Sequence, residues 1–133
     1  MNLAELVAEI CAETATSCEA AGLQFTSSTE VTTHPLDLDL PVHLQRMFRE
    51  LTSNAIKHAR ATNLHFTAST QDGLLKTTLS DDGVGWSDDQ DNADALSKGL
   101  KSLRRRAAQH GARIDWKSAP GEGTTVNIEV PLP

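Results

Sequence analysis

The stretch LQRMFRELTSNAIKHAR, from Leu44 to Arg60, carries two stripes of opposite character. Leu44, Met47, Phe48, Leu51, Ala55, Ile56 and Ala59 recur at spacings of three and four, the repeat of a helix with a wide apolar face. Glu50, Asn54, Lys57 and His58 form a second, polar stripe. At about 100° per residue, Glu50 and Asn54 fall at the border of the apolar face, whereas Arg46, Arg49, Ser53 and Arg60 fall farther round, toward water. A carboxylate and a carboxamide one turn apart, where a helix enters a core, either hydrogen-bond the fold itself or meet a ligand. The helix alone leaves both readings open.

Upstream, residues 2–21 form another helical pattern. Asn2 and Glu5 have capping-box spacing, Leu3, Leu6, Val7, Ile10 and Cys11 make an apolar stripe, and Gly22 supplies the stop. Leu23 to Val31 is rich in Thr and Ser, with Leu23, Phe25 and Val31 on one parity, and reads as a strand. His34-Pro35 interrupts it. Leu36, Leu38 and Leu40 then alternate with aspartates in a short extended piece, and Pro41 opens the central helix, where a missing N–H is no loss.

Downstream, Asn63–Thr70 and Leu74–Ser80 alternate around Gln71-Asp72-Gly73, the pattern of a β-hairpin. Leu64, Phe66 and Ala68 share one face of the first strand. Leu75, Thr77 and Leu79 share one face of the second, and period two carries Asp81 to that side at the strand's end. Asp82-Gly83-Val84-Gly85 turns out of the strand, and Asp88 to Ala95 reads as a mobile polar loop. Gly99 to His110 predicts a helix with Leu100, Leu103 and Ala107 inward and Gly111 as its stop. Arg113–Ser118 and Thr125–Val130 form a closing hairpin across the loop from Ala119 to Thr124, with Ile114 and Trp116 on one parity of the first strand and Val126, Ile128 and Val130 inward on the second. The order predicts an α+β two-layer sandwich: three helices on one face of a mixed, mostly antiparallel sheet.

At 133 residues the chain makes a single domain, and with no Tyr, three Phe and two Trp its core is mostly aliphatic. A net charge of -6 argues against a general nucleic-acid binder. Asp81, Asp82, Asp88, Asp89, Asp91 and Asp94 crowd one stretch, and Lys98, Lys101, Arg104, Arg105 and Arg106 the next; such runs are usually solvated. Cys11 and Cys18 stand about 10 Å apart along a helix axis, beyond disulfide reach, and read as packing residues of a reducing compartment. No apolar run has membrane-spanning length and the N-terminus is acidic rather than signal-like, so the reading is a cytoplasmic domain without membrane contact of its own.

Four blocks then stand in order: Glu50-x-x-x-Asn54 on a helix, Asp81-x-Gly83-x-Gly85 after a strand, Gly99-Leu100 at a predicted helix start, and Gly121-x-Gly123-Thr124 before the last strand. Together they resemble the Bergerat ATP-binding fold, the GHKL family of sensor histidine kinases and of gyrase, heat-shock chaperone and mismatch-repair ATPases. The phrases RELTSNAIKHA, DDGVG, GLKSLRRRAAQHGARI and SAPGEGTTVNIEVPLP look most like the kinase branch that senses nitrate or membrane fluidity. One glycine motif would be weak; four in order and context are specific.

The resemblance implies ATP and Mg²⁺ as ligands. Asn54 would give Mg²⁺ a neutral oxygen, adding no further anion beside the triphosphate. Glu50 matches the residue that orients or deprotonates a water in the ATPase branches; in a kinase it would act as acid/base or organise the water and metal shell. Lys57 and His58 would neutralise phosphate, or simply face solvent. Asp81 would accept a hydrogen bond from the adenine amino group, with Gly83 and Gly85 letting the backbone approach the base. Gly99, at a helix start, would offer free N–H groups to phosphate, next to Lys98 and Leu100. Thr124 would help place adenine, and Trp86 to Lys98 would be the ATP lid. One departure stands out: relatives often carry Gly-x-Gly-Leu where this chain has Ser97-Lys98-Gly99-Leu100.

A histidine kinase also needs a dimerising helical hairpin bearing the phosphorylated histidine. None of His34, His43, His58, His65 or His110 has that acidic context. The expectation is therefore the catalytic ATP-binding domain of a two-component sensor kinase, residues 1–133, with the phosphoacceptor domain absent. It would be monomeric in isolation and unable to phosphorylate itself. The parent would be a homodimer, free or membrane-anchored, passing phosphate to a histidine on the separate domain and then to a response regulator. Two alternatives stay open: an anti-sigma-type serine kinase, and a non-catalytic nucleotide-sensing module.

Overall fold

The computed structural model describes residues 1–86 and 93–133, with the side chains of 93–97 outside that description. Eight elements follow the chain: α1 (Leu3–Ala21), β1 (Gln24–Glu30), α2 (Asp39–His58), β2 (Asn63–Gln71), β3 (Leu74–Asp81), α3 (Ala93–Ala108), β4 (Arg113–Ser118) and β5 (Thr124–Pro131). The five strands form one sheet in the order β1-β2-β3-β5-β4. Only β1 and β2 run parallel, joined by the crossover through α2; the other neighbours are antiparallel. This is the expected two-layer α+β sandwich.

The termini of α1 follow local chemistry. The Glu5 N–H donates to Asn2 Oδ1 at 2.9 Å and Asn2 Nδ2 donates back to Glu5 Oε1 at 3.0 Å. At the other end Gly22 takes φ 80° and caps the last carbonyls. Between β2 and β3, Asp72 and Gly73 both adopt positive φ, the two-residue turn that matches strand twist. With that register fixed, Leu64, Phe66 and Ala68 of β2 and Leu75, Thr77 and Leu79 of β3 are all buried, against Val126, Ile128 and Val130 of β5 and Ile114 of β4. Helices α2 and α3 cover this face through Leu44, Phe48, Leu51, Leu100, Leu103 and Ala107, and Phe48 meets Phe66 edge to face at 5.3 Å. The opposite face carries polar pairs such as Ser80–Thr125.

Three boundaries differ from the sequence reading. Leu38 and Leu40 are not part of an extended piece, and Pro41 does not open α2: the helix starts at Asp39, with Leu38 left 90% exposed. Asp37 Oδ1 accepts from the N–H groups of Asp39 and Leu40, so a side chain before the helix does the capping, and Pro41 is tolerated within a first turn whose N–H groups have no helical partner. The C-terminus of α2 is at His58, and Arg60 takes φ 50° instead of continuing the helix. Helix α3 starts at Ala93, six residues before the predicted Gly99. Ala93–Lys98 is rich in good helix formers, which outweigh the single glycine that follows. Gly99 is thus interior to α3, and its N–H is not among the free donors of a helix start. Ala93 to Ala95 are likewise helix rather than loop, and the rest of the expected polar loop, residues 87–92, lies outside the described residues, as does the side chain of Ser97.

A Cβ built at Gly99 meets nothing within 4 Å. Gly99→Ala is therefore expected to stabilise the domain by about 0.5–1 kcal/mol, read as a raised urea midpoint at unchanged slope. A lowered midpoint would contradict the helical placement.

Candidate functional site

A cavity opens where the second half of α2, the ends of β3 and β5, and α3 converge. Leu51, Asn54, Ala55, His58 and the following Ala59 form one wall; Leu64, Leu79, Asp81, Thr124 and Val126 line it from the sheet; Gly85, Trp86 and Leu100 close it. Its volume is about 60 Å³, well below the roughly 300–1,000 Å³ of a pocket that encloses a drug-sized ligand. It suits the inserted end of a ligand whose remainder lies outside. Among the described residues Asn54, His58, Asp81 and Thr124 are its polar side chains, and the remainder of the lining is apolar.

Asp81 is the half-buried carboxylate of this slot. Burial pushes its pKa up, against the backbone N–H groups of Gly83 and Thr124, which favour the charged form, and beside the like charge of Asp82, which does not. The Gly83 N–H donates to Asp81 Oδ1 at 2.9 Å. Asp81 pairs with Thr124 across the β3–β5 ladder, and the Thr124 hydroxyl meets Ser118 Oγ at 2.7 Å. Ser118 also accepts from the Trp86 N–H at 2.9 Å, so one hydroxyl links the closing hairpin to the segment that leaves β3.

The adjacent Asp82 does something different. It accepts from the N–H groups of Thr62 and Asn63 and from Asn63 Nδ2, each at 2.9 Å, and ties the end of β3 to the start of β2. These bonds, the Asn63 side chain foremost, hold its pKa down at about 2. Consecutive aspartates thus point opposite ways, one into the slot and one into the backbone frame.

The glycines after Asp81 are fixed by close approach. A Cβ at Gly83 would lie 2.1 Å from the carbonyl oxygen of Ala59, and one at Gly85, whose φ is 62°, would lie 1.9 Å from that of Ala119. The segment is pressed between the end of α2 and the β4–β5 loop, with Val84 N–H donating to Ala59 O at 2.7 Å and Gly121 N–H donating to Val84 O at 2.6 Å. Gly83 therefore permits backbone packing behind the slot and does not line it; Gly85 does line it.

Glu50 does not line the slot either. Arg106 of α3 grips both of its oxygens, at 2.8 Å each, and this bidentate pair lowers the Glu50 pKa while raising that of Arg106. Of the residues proposed from sequence, the structure gathers Asn54, His58, Asp81, Gly85, Leu100 and Thr124 around the cavity, and leaves Lys57, Lys98 and Gly99 outside its lining. Sequence reasoning treated Leu51, Ala55, Leu64, Leu79 and Val126 as core alone; Leu79 shares Asp81's parity in β3, but an apolar side chain facing a ligand carries the same pattern as one facing the core. Nothing in the spacing of Glu50 and Arg106, 56 positions apart, announced their pairing.

The family model for histidine kinase-, DNA gyrase B- and HSP90-like ATPases matches residues 39–133. Among curated proteins, the chain is 30% identical over 100 residues to the sensor histidine kinase ComP of Bacillus subtilis, covering 75% of this chain and 13% of that protein. It is 31% identical over 90 residues to the sensor histidine kinase LiaS of the same species, covering 68% of this chain and 24% of that one. The sensor protein VraS of Staphylococcus aureus is 32% identical over the same length, again over 68% of this chain and 25% of the relative. The chain thus spans a quarter or less of these relatives. Among solved structures, the histidine kinase domain of the Erythrobacter litoralis EL346 blue-light activated kinase superposes with a TM-score of 0.76 at 25% identity, over 96% of this chain and 61% of that one.

Because Asp82 is held near pH 2, its contribution to stability is complete above the ordinary carboxylate range, near pH 4, and lost as pH falls through about 2. Asp82→Asn should be less stable than the wild type at pH 7, with the gap closing below about pH 3. A gap in the urea midpoint that is the same at both ends of this range would contradict the assignment.

Proposed function

Because the chain belongs to the histidine kinase-, DNA gyrase B- and HSP90-like ATPase family, we propose that the slot takes the adenine of ATP and that the domain donates the γ-phosphoryl group to a histidine. The single observation that carries this reading is Asp81: a half-buried carboxylate at the inner end of β3, walled by aliphatic side chains, with room beside it for the edge of a planar base. The apolar walls remove the faces of the base from water, and the carboxylate accepts from its exocyclic amino group. Thr124 offers a hydroxyl at the same end, already oriented by Ser118.

The phosphates leave the slot past the C-terminal turns of α2. Asn54, on the cavity wall, suits Mg²⁺, a hard cation that needs only one or two protein oxygens beside phosphates and waters. When bound, Mg²⁺ supplies charge neutralisation to the triphosphate. His58 lies at the same wall, and Lys57 and Lys98 are exposed cations able to swing toward the phosphates. Glu50, whose pKa is lowered by Arg106, is a weak proton acceptor; its fit is to order water and charge near Asn54 rather than to remove a proton. Phosphoryl transfer needs mainly positioning and electrostatic stabilisation, with little covalent work for the protein.

The acceptor in this reading is a histidine on a separate dimerisation domain, followed by a response regulator, within a homodimeric parent. The sensor kinases found as relatives support that branch over a serine kinase. Among the described residues no helix is long and apolar enough to cross a membrane.

Trp86 lines the slot and is 8% exposed, so Mg·ATP should change tryptophan fluorescence saturably. Asp81→Asn should weaken nucleotide binding by at least about a hundredfold, the worth of a buried charged acceptor, while its urea midpoint stays the same or rises because a desolvated charge has been removed. Wild-type affinity in Asp81→Asn would contradict the reading. Asn54→Ala should weaken Mg·ATP much more than metal-free ATP; equal losses would remove Asn54 from the metal. With the phosphoacceptor domain added, acid-labile, base-stable label would identify phosphohistidine, and acid-stable label a serine kinase.

A further inference from the structure

A second hollow carries the opposite chemistry. It measures about 240 Å³ and lies between the first half of α2 and the end of α3, lined by His43, Arg46 and Met47 on one side and Arg106, Gln109 and His110 on the other. Among the described residues no carboxylate lines it, in a chain whose net charge is -6. Two guanidiniums and two imidazoles converge there over Met47, which is buried as a floor. The imidazoles of His43 and His110 stack at 3.6 Å between centroids, tilted by 31°, and so bring ring nitrogens from α2 and from the turn after α3 to one place. Arg106 is held by Glu50. Arg46 acts on the same carboxylate through its field, yet among the described residues it forms no ion pair within 4 Å. Among the described residues two guanidiniums therefore share the field of one carboxylate, which leaves the hollow with a surplus of positive charge.

We propose that this hollow is a second anion site, taking a tetrahedral oxyanion of the phosphate class, and that the anion competes with Glu50 for Arg106. The planar guanidinium fork accepts phosphate as readily as carboxylate, bidentately in both cases. An anion seated between Arg46 and the two imidazoles lies within the same cluster as Arg106 and draws its fork away from Glu50. That pair joins α2 to α3, so occupancy of the hollow loosens the link between the helix that carries Asn54 and the helix that carries Leu100. Its effect on nucleotide rests on the reading of the first cavity; the binding of the anion does not.

The test is an NMR titration of the whole chain with inorganic phosphate, at ionic strength kept constant with chloride, following the ring signals of all the histidines. His43 and His110 should shift together and saturably, with a dissociation constant on the order of 1 mM, as a few charge-assisted contacts made against water allow. His65, bonded to Thr26 on the far face of the sheet, should not move. Arg46→Ala should weaken the response about tenfold, and Glu50→Gln should strengthen it several-fold by removing the competitor. His58→Ala, which removes the imidazole placed toward the phosphates on the wall of the nucleotide cavity, should leave the His43 and His110 response intact, and that separates the two sites. A peptide carrying phosphoserine, titrated in parallel, distinguishes two sources: tighter binding than free phosphate marks a docking point for a phosphorylated segment, and equal binding marks a free-ion site. Linear shifts that chloride reproduces, or an Arg46→Ala response equal to wild type, would overturn the site. An unchanged response in Glu50→Gln would overturn the competition.

Discussion

A carboxylate on the inward parity of a core strand has to be either wrapped in donors or given somewhere to look. Asp81 has both, in part. The Gly83 N–H satisfies one oxygen, while burial still pushes the pKa up, so the carboxylate stays a ready acceptor at the inner end of an apolar slot. Much of the local structure serves that placement. Asp82 locks the end of β3 to β2, Gly83 and Gly85 let the chain pass between Ala59 and Ala119, and Ser118 pins Trp86 and Thr124 around the opening. A side chain at either glycine would move the segment that supports the carboxylate, so the tight packing behind the slot and the chemistry within it are one requirement.

The second organising interaction joins the two helices. Glu50 and Arg106 are each less than half exposed and meet in a fork-to-fork geometry. A half-exposed pair of this kind contributes modestly to stability; its larger consequence is functional. It keeps Glu50 ionised and outside the lining of the apolar slot, and it places Arg106 where the cationic hollow begins. The two cavities therefore lie along the same pair of helices, one apolar with a single carboxylate, the other cationic, with the Glu50–Arg106 pair between them.

How much of this could be read beforehand follows from which interactions are local. Caps and turns are local: Asn2 with Glu5, Gly22, and Asp72-Gly73 behave as their residue types require. Period-two burial in β2, β3 and β5 is local as well, and it carried the inward direction of Asp81 correctly. Element starts were less legible. Asp37 caps α2 from outside the helix, and the glycine at position 99 resembled a boundary although the alanines before it favour helix. The Glu50–Arg106 pair and the stacking of His43 on His110 join residues far apart in sequence, and only the packing of α2 beside α3 brings them together. The walls of the slot were visible only as core, because an apolar side chain facing a ligand has the same pattern as one facing another side chain.

The most direct test of the central claim compares ATP with inosine triphosphate by calorimetry on the wild-type chain with Mg²⁺. The two ligands differ where Asp81 is assigned to act: an amino donor in one, a carbonyl acceptor in the other. If Asp81 accepts from the base, inosine triphosphate should bind at least about a hundredfold more weakly, since a charged acceptor would face an acceptor. Equal affinity for the two triphosphates would show that the carboxylate does not read the base, and the assignment of this slot would fail.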